Sequence, residues 1–305
     1  MTTTKTSGKL GGHLALLAAN CIWGGMAPIS KDLLNMGVID SWTLAGVRIV
    51  GGALLFWLLA ALLPKGWTQD EKIDKKDLLP MLWASLLVIG ANQALTIMGM
   101  AYTSPVDATI VCSMTPIFTL VLGGLFLKQK ISSWKAMGVA LGFAGVLFFI
   151  FAGSSDEATH VTNPMLGNAM CFVAQLCGAC YLVFFTNLIS KYSAFTLMKW
   201  MFLMSGVLIL PFTISGMVHV DWTHMPTGGL LDTLYIVVLA TCLAYLLTPV
   251  AQKRVQPTVV AMYNYLQPVV SAVCSIVAGL AIVDVQTVLY ACLIFAGVWL
   301  VSRSN

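Results

Sequence analysis

Apolar residues run through this chain in blocks of roughly twenty, each closed by a short polar stretch. The blocks predict helices at 11–31, 42–63, 78–102, 105–127, 132–152, 164–188, 195–217, 229–251, 257–280 and 284–302. A helix of about 20 residues crosses the ~30 Å hydrocarbon core of a bilayer. Inside the blocks, the few polar residues recur at helical spacing. Asn20 and Trp23 are three apart, Asn92 and Thr96 four apart, and Tyr263 and Gln267 four apart; Thr241, Tyr245 and Thr248 follow the same rule. Residues so spaced share one helix face.

The pattern occurs twice. Residues 105–116 read PVDATIVCSMTP and residues 257–268 read PTVVAMYNYLQP, each a proline, ten mostly apolar residues and a second proline. The offset of 152 also carries Phe143-Ala144-Gly145-Val146 onto Phe295-Ala296-Gly297-Val298 and Thr96 onto Thr248, and an offset of 153 carries Thr43-Leu44 onto Thr196-Leu197. Each copy holds five predicted spans. An odd number makes the second copy enter from the opposite face, so the expected fold is all-α and integral to the membrane, with ten transmembrane helices in two inverted five-helix repeats. The expected boundaries are a first repeat at 1–152, a polar extracytoplasmic linker at 153–163 and a second, inverted repeat at 164–305.

Composition agrees with a lipid solvent: 59% of residues are hydrophobic and 9% charged, against about 25% charged in soluble domains. The net charge of +4 carries no nucleic-acid signal, because the basic residues sit in short loops. One set of span ends carries Lys5, Lys9, Lys65, Lys72, Lys75, Lys76, Lys128, Lys130, Lys135, Lys191, Lys199, Lys253, Arg254 and Arg303; the opposite set carries Lys31. The positive-inside rule then puts both termini in the cytoplasm of a cell (inner) membrane protein. The first apolar run imitates a signal peptide, but its length and its counterpart in the second copy predict a retained span. Cys177 and Cys180, a C-x-x-C, read as small residues at a helix contact. No metal, cofactor or catalytic set is expected.

The opening helix, LALLAANCIWGGMAPISKDLL, with Trp23-Gly24 in its middle and Lys31 at its exit, resembles EamA-type members of the drug/metabolite transporter superfamily. Arg48, Pro116, the Gly142–Val146 ending of the fifth block, Pro268 and Phe295–Val298 extend the likeness over essentially the whole chain. The resemblance implies a ten-helix exporter or exchanger of amino acids or other small metabolites. Its cavity would be lined by the first, third, fourth, sixth, eighth and ninth spans. Gln129 and Ala281 stand where such proteins often carry an acidic residue, and the first helix offers Asn20 rather than a glutamate. Both departures count against carboxylate-driven, proton-coupled export of cations.

Pro116 lies eleven residues into its helix, about 16 Å along it, and Pro268 is its counterpart from the other face. A proline withdraws the hydrogen bond to the carbonyl four residues back, here Cys112 and Asn264. These acceptors serve substrate, or the prolines merely kink their helices. The candidate substrate-binding residues are Asn20, Trp23, Asn92, Thr96, Ser113, Thr115, Gln175, Tyr245, Thr248, Tyr263, Asn264 and Gln267. Amides, hydroxyls and aromatic faces without a charge suit a neutral or zwitterionic solute. Arg48 and Asp107 are the ionisable residues nearest the membrane interior; with Pro116 and Pro268 they form the candidate gating set, the charged pair closing an outer gate or serving as interfacial anchors.

A small-molecule transporter working as a monomer by alternating access, through facilitation or exchange, is the leading reading. A proton-coupled drug or metabolite exporter using Asp107 or His13 is the alternative. An intramembrane enzyme is remote: the chain has no H-E-x-x-H or G-x-S-x-G, and three of its four histidines (His160, His219, His224) fall in loops. A receptor does not need two-sided symmetry, and no charged ring or filter-like loop suggests a channel.

Overall fold

The computed structural model describes residues 3–64, 68, 70–126, 132–152, 162–252, 254, 263, 264, 266–279 and 285–303. Most of the predicted linker, Pro257, Gln129 and Ala281 lie outside these residues. Among the described residues all regular structure is helical. The helices are α1 (Thr3–Asn35), α2 (Ser41–Leu62), α3 (Lys75–Tyr102), α4 (Pro105–Phe126), α5 (Ser133–Ala152), α6 (Pro164–Phe184), the short α7 (Thr186–Lys191), α8 (Ala194–His219), α9 (Thr227–Ala251), α10 (Leu266–Val277) and α11 (Val285–Arg303). By length and composition, α1 from Leu10, α2, α3, α4, α6, α8 and α9 can each cross a membrane. Helices α5, α10 and α11 occupy the other three predicted spans.

Short polar residues set the helix ends. Asp40 accepts from the Trp42 and Thr43 N–H groups at 2.9 and 3.0 Å to cap α2. Ser193, 153 residues on, accepts from the Thr196 N–H at 3.1 Å to cap α8. Each satisfies N–H donors that the first helical turn leaves open. Gly37 after α1 and Gly279 after α10 both adopt φ +69°, a left-handed ending that a Cβ would strain.

Helices α3 and α9 each contain a widened, π-helical stretch, Leu86–Ala91 and Tyr235–Leu243. The 152-residue offset carries 86–91 onto 238–243, inside the second stretch. In α9 the Thr241 hydroxyl donates to the Ile236 carbonyl at 2.8 Å, five residues back. Helix α4 is broken rather than bent. Its first segment ends at Cys112, Ser113 and Met114 form a turn, and a second segment starts at Thr115. Pro116 thus stands in the first turn of a new segment, where a missing N–H costs nothing. Pro268 sits at the same place in α10, which starts at Leu266 after a turn at Asn264.

The helices pack α2 against α8, α5 against α11, α3 against α6, and α1 against both α9 and α10. Small residues permit the closest approaches, as expected where lipid supplies no hydrophobic drive between helices. A Cβ on Gly297 would stand 2.5 Å from both the Gly138 carbonyl oxygen and the Gly142 nitrogen. Leu54, Leu125, Phe212, Val218 and Val277 point outward, while Asn20, Arg48, Gln93, Asp107 and Asn168 are buried. This inverts the distribution of a water-soluble protein.

Candidate functional site

Two polar pairs cross between the halves of the chain. Gln267 of α10 donates through Nε2 to Asn20 Oδ1 of α1 at 2.7 Å. Thr115 of α4 donates to Gln175 Oε1 of α6 at 2.8 Å. Thr115 and Gln267 are 152 residues apart, and Asn20 and Gln175 are 155 apart. Gln175 Nε2 also reaches the Cys112 sulfur at 3.1 Å, and Asn20 Nδ2 donates to the Leu16 carbonyl at 2.8 Å.

Beside these pairs lies an aromatic and cationic group. Trp23 donates from its indole to the Ala240 carbonyl at 2.9 Å, and the Tyr235 hydroxyl donates to the Ile22 carbonyl at 2.9 Å, so α1 is tied twice to the widened part of α9. The Trp23 ring meets Tyr245 edge-on, with centroids 5.4 Å apart, and Tyr245 meets Phe202 at 5.5 Å. Arg48, 3% exposed, donates from Nε to the Thr241 hydroxyl at 2.9 Å. Its titratable neighbours are Tyr245 and Cys112, and among the described residues no carboxylate pairs with it. Gln93 lies beside the Tyr245 phenol with its amide buried and making no well-formed hydrogen bond among the described residues. Tyr245 keeps some accessible surface, whereas Arg48, Gln93, Tyr181 and Phe202 around it are buried.

A guanidinium thus lies beside the uncharged polar and aromatic residues singled out from sequence. An unpaired charge at the bilayer centre costs about 2.5–3.5 kcal/mol on insertion scales. Arg48 and Asp107 are not paired. Asp107, also 3% exposed, is approached by the Thr103 hydroxyl at 3.4 Å, and its N–H donates to Ser104 at 3.1 Å. The reason is side-chain direction: Arg48 turns toward α9, whereas Asp107 stays in the first turn of α4.

The other predicted residues divide by partner. Asn92 donates to the Ala174 carbonyl of α6 at 2.6 Å, and Thr96 donates to the Asn92 carbonyl at 2.7 Å. Ser113 bonds back to the Ile110 carbonyl at 2.6 Å and Thr248 to the Ala244 carbonyl at 2.9 Å, so both serve their own helices. The Tyr263 hydroxyl stands 3.0 Å from His13 Nδ1, packed with Ala15, Leu16 and Ala251. The carbonyls freed by the prolines each have a donor in reach: the Thr115 hydroxyl, shared with Gln175, lies 3.2 Å from the Cys112 carbonyl, and the Gln267 N–H donates to Asn264 at 3.2 Å. Breaking the helix before each proline lets the residue three positions on reach back. Sequence reasoning missed Gln93 and Tyr235; an amide and a phenol within apolar runs were the available signals.

The two ends of the bundle differ. At the end where α1 exits, the buried Lys31 ammonium donates to the Met100 and Ala101 carbonyls at 3.3 and 3.0 Å, supplying a cation to the C-terminal end of α3. At the other end, the segment 70–77 is clamped to 191–199. Lys191 pairs with Asp74 and, at 2.5 Å, with Asp77; Lys199 pairs with Asp70 and lies 4.7 Å from the Trp57 ring centroid; the Glu71 N–H donates to Thr196 at 2.9 Å.

Long apolar helices with lipid-compatible exteriors and a hydrogen-bonded polar interior define a multi-pass membrane protein. The model of the EamA-like transporter family matches residues 10–151 and again 165–303, and the chain belongs to this family of membrane transporters. An uncharacterized transporter of Archaeoglobus fulgidus is 25% identical over 298 residues, covering 96% of this chain and 98% of the relative. The uncharacterized transporter YetK of Bacillus subtilis is 25% identical over 273 residues, 88% of this chain and 79% of that one. A WAT1-related protein of Arabidopsis thaliana is 23% identical over 318 residues, 94% and 83% of the two chains. One protein of known crystal structure superposes with a TM-score of 0.64 at 15% identity over 97% of both chains, a likeness of fold alone.

Proposed function

We propose that this chain is a secondary transporter that moves small neutral or zwitterionic metabolites, amino acids foremost, by alternating access. Net movement is export, by facilitation or exchange. The carrying observation is the crossed pairing of Asn20 with Gln267 and Thr115 with Gln175. It ties the first helix of each half to the fourth helix of the other at the depth where the polar interior lies. Two oppositely inserted five-helix repeats, 1–152 and 164–305, would rock about such contacts and expose the Trp23–Tyr245 region to each side in turn. The doubled family match and the paired π-helical stretches support this arrangement. The Lys and Arg distribution supports cytoplasmic termini, and one chain carries both halves of the site, which suits a monomer.

Counterflow of radiolabelled amino acids in proteoliposomes, with and without a pH gradient, tests the reading. Exchange that is indifferent to the gradient supports it. The buried Asp107 favours a second reading, proton-coupled export, which requires the gradient to drive accumulation. Failure of every small metabolite to move would defeat both.

A further inference from the structure

We propose that Arg48 is the carboxylate-binding residue of the transport site. Its guanidinium, beside Thr241, Tyr245 and Gln93, receives the carboxylate of a small solute whose apolar body rests against Trp23 and Tyr245. The inference rests on the transport reading above and names the solute class that reading leaves open.

Three observations converge. Arg48 is 3% exposed, uses Nε on Thr241 at 2.9 Å, and meets no carboxylate among the described residues. Thr241 is held to receive that bond, because its own hydroxyl proton goes to Ile236 at 2.8 Å in the widened turn of α9. Gln93, 1% exposed, carries an amide whose polar neighbour is the Tyr245 phenol and which makes no well-formed hydrogen bond among the described residues. A buried cation without a carboxylate and, by the same phenol, a buried amide with hydrogen-bonding capacity to spare form an incomplete polar set, and a ligand with acceptor oxygens completes it.

The chemistry selects among anions. The planar guanidinium fork matches the two oxygens of a carboxylate. A phosphate monoester carries about −1.5 to −2 charges near neutral pH and calls for more cations than this group supplies. An amine would face Arg48 as a like charge. The Trp23–Tyr245 edge contact, centroids 5.4 Å apart, provides an apolar wall for the remainder of the solute.

The full chain, purified in detergent, is heated with L-leucine, L-phenylalanine, phenylacetate, L-phenylalaninamide, phenylethylamine and glucose 6-phosphate in turn. The same compounds are followed by counterflow in proteoliposomes. Carboxylates are expected to raise Tm and to exchange; the amide, the amine and the phosphate ester are not. Arg48→Gln abolishes both effects. Arg48→Lys keeps the charge but loses the fork and lowers carboxylate counterflow about tenfold or more. Gln93→Leu keeps the guanidinium and raises KM for carboxylates several-fold, which carries the test should Arg48→Gln not fold. If the amide or amine exchanges in both the native chain and Arg48→Gln, the transport reading stands, Arg48 is a strut between α2 and α9, and the inference is overturned. If no compound exchanges or shifts Tm, the inference falls, while the transport reading falls only when every small metabolite fails to move.

Discussion

Gln267 and Asn20 are joined by a 2.7 Å hydrogen bond across a sequence separation of 247 residues. The bond connects α10 to α1, and its counterpart Thr115–Gln175 connects α4 to α6. Interhelical side-chain bonds in membranes average about 0.6 kcal/mol and reach about 1.7. Asn20→Ala and Gln267→Ala should each cost stability in that range, and the double variant should cost less than their sum. Unfolding of all three variants in mixed micelles checks the cycle; strict additivity would mean the bond carries no coupling.

Thr241→Val removes the acceptor for Arg48 while keeping side-chain volume. A hydrogen bond to a charged group is worth about 1.5–3 kcal/mol, and the loss should appear as a lower midpoint in the same unfolding assay. Thr248→Val, which removes only a bond to its own helix, should have a smaller effect. Equal effects of the two substitutions would argue against a special role for the Arg48–Thr241 contact.

Gly297→Ala places a Cβ against the backbone of α5, 2.5 Å from Gly138 O and Gly142 N. Backbone cannot swing aside as a side-chain tip does, so α5 and α11 must separate. Overpacking of this kind costs about 1–3 kcal/mol. A lowered Tm checks it, and Gly37→Ala separates crowding from strain: it meets nothing within 4 Å but forces a side chain to φ +69°.

Hydrogen bonds to the Asp74 and Asp77 carboxylates hold the Lys191 ammonium well above the ordinary lysine range. A raised folded value makes the stabilisation complete below the unfolded lysine pKa of about 10.4, and it is lost as pH climbs through the folded value. With the native cysteines replaced, Ser193→Cys should react slowly with an impermeant maleimide. Relative to the reagent's intrinsic rate, its labelling should stay level through neutral pH and quicken only above about 10.4. Lys191→Met should raise labelling several-fold at neutral pH, and an unchanged rate would mean the clamp between 70–77 and 191–199 does not limit access.

Much of this arrangement is legible in the chain. Hydrophobic blocks locate the helices, and the internal offsets show Thr115 and Gln267 to be equivalent. The offsets do not say that each bonds the first helix of the other half, because packing between distant segments decides that. The π-helical stretches leave no mark on hydrophobic periodicity, since one added residue within an all-apolar run changes no pattern. The partner of Arg48 is hidden in the sequence for a related reason. Helical rise puts the Arg48 Cα about 9 Å from the end of the block, but a long side chain can point inward as readily as snorkel outward. Direction depends on where an acceptor stands, and that acceptor, Thr241, is 193 residues away.

The widened turn of α9 has a consequence for engineering this helix. Each residue advances an α-helix by about 100°. A deletion in ordinary α-helix swings everything after it by that angle, whereas deleting Leu239, within Tyr235–Leu243, would be absorbed as the wide coil tightens. The phenol of Tyr245 would then stay beside the guanidinium, so this stretch is where the helix can lose a residue without turning its far end toward the acyl chains.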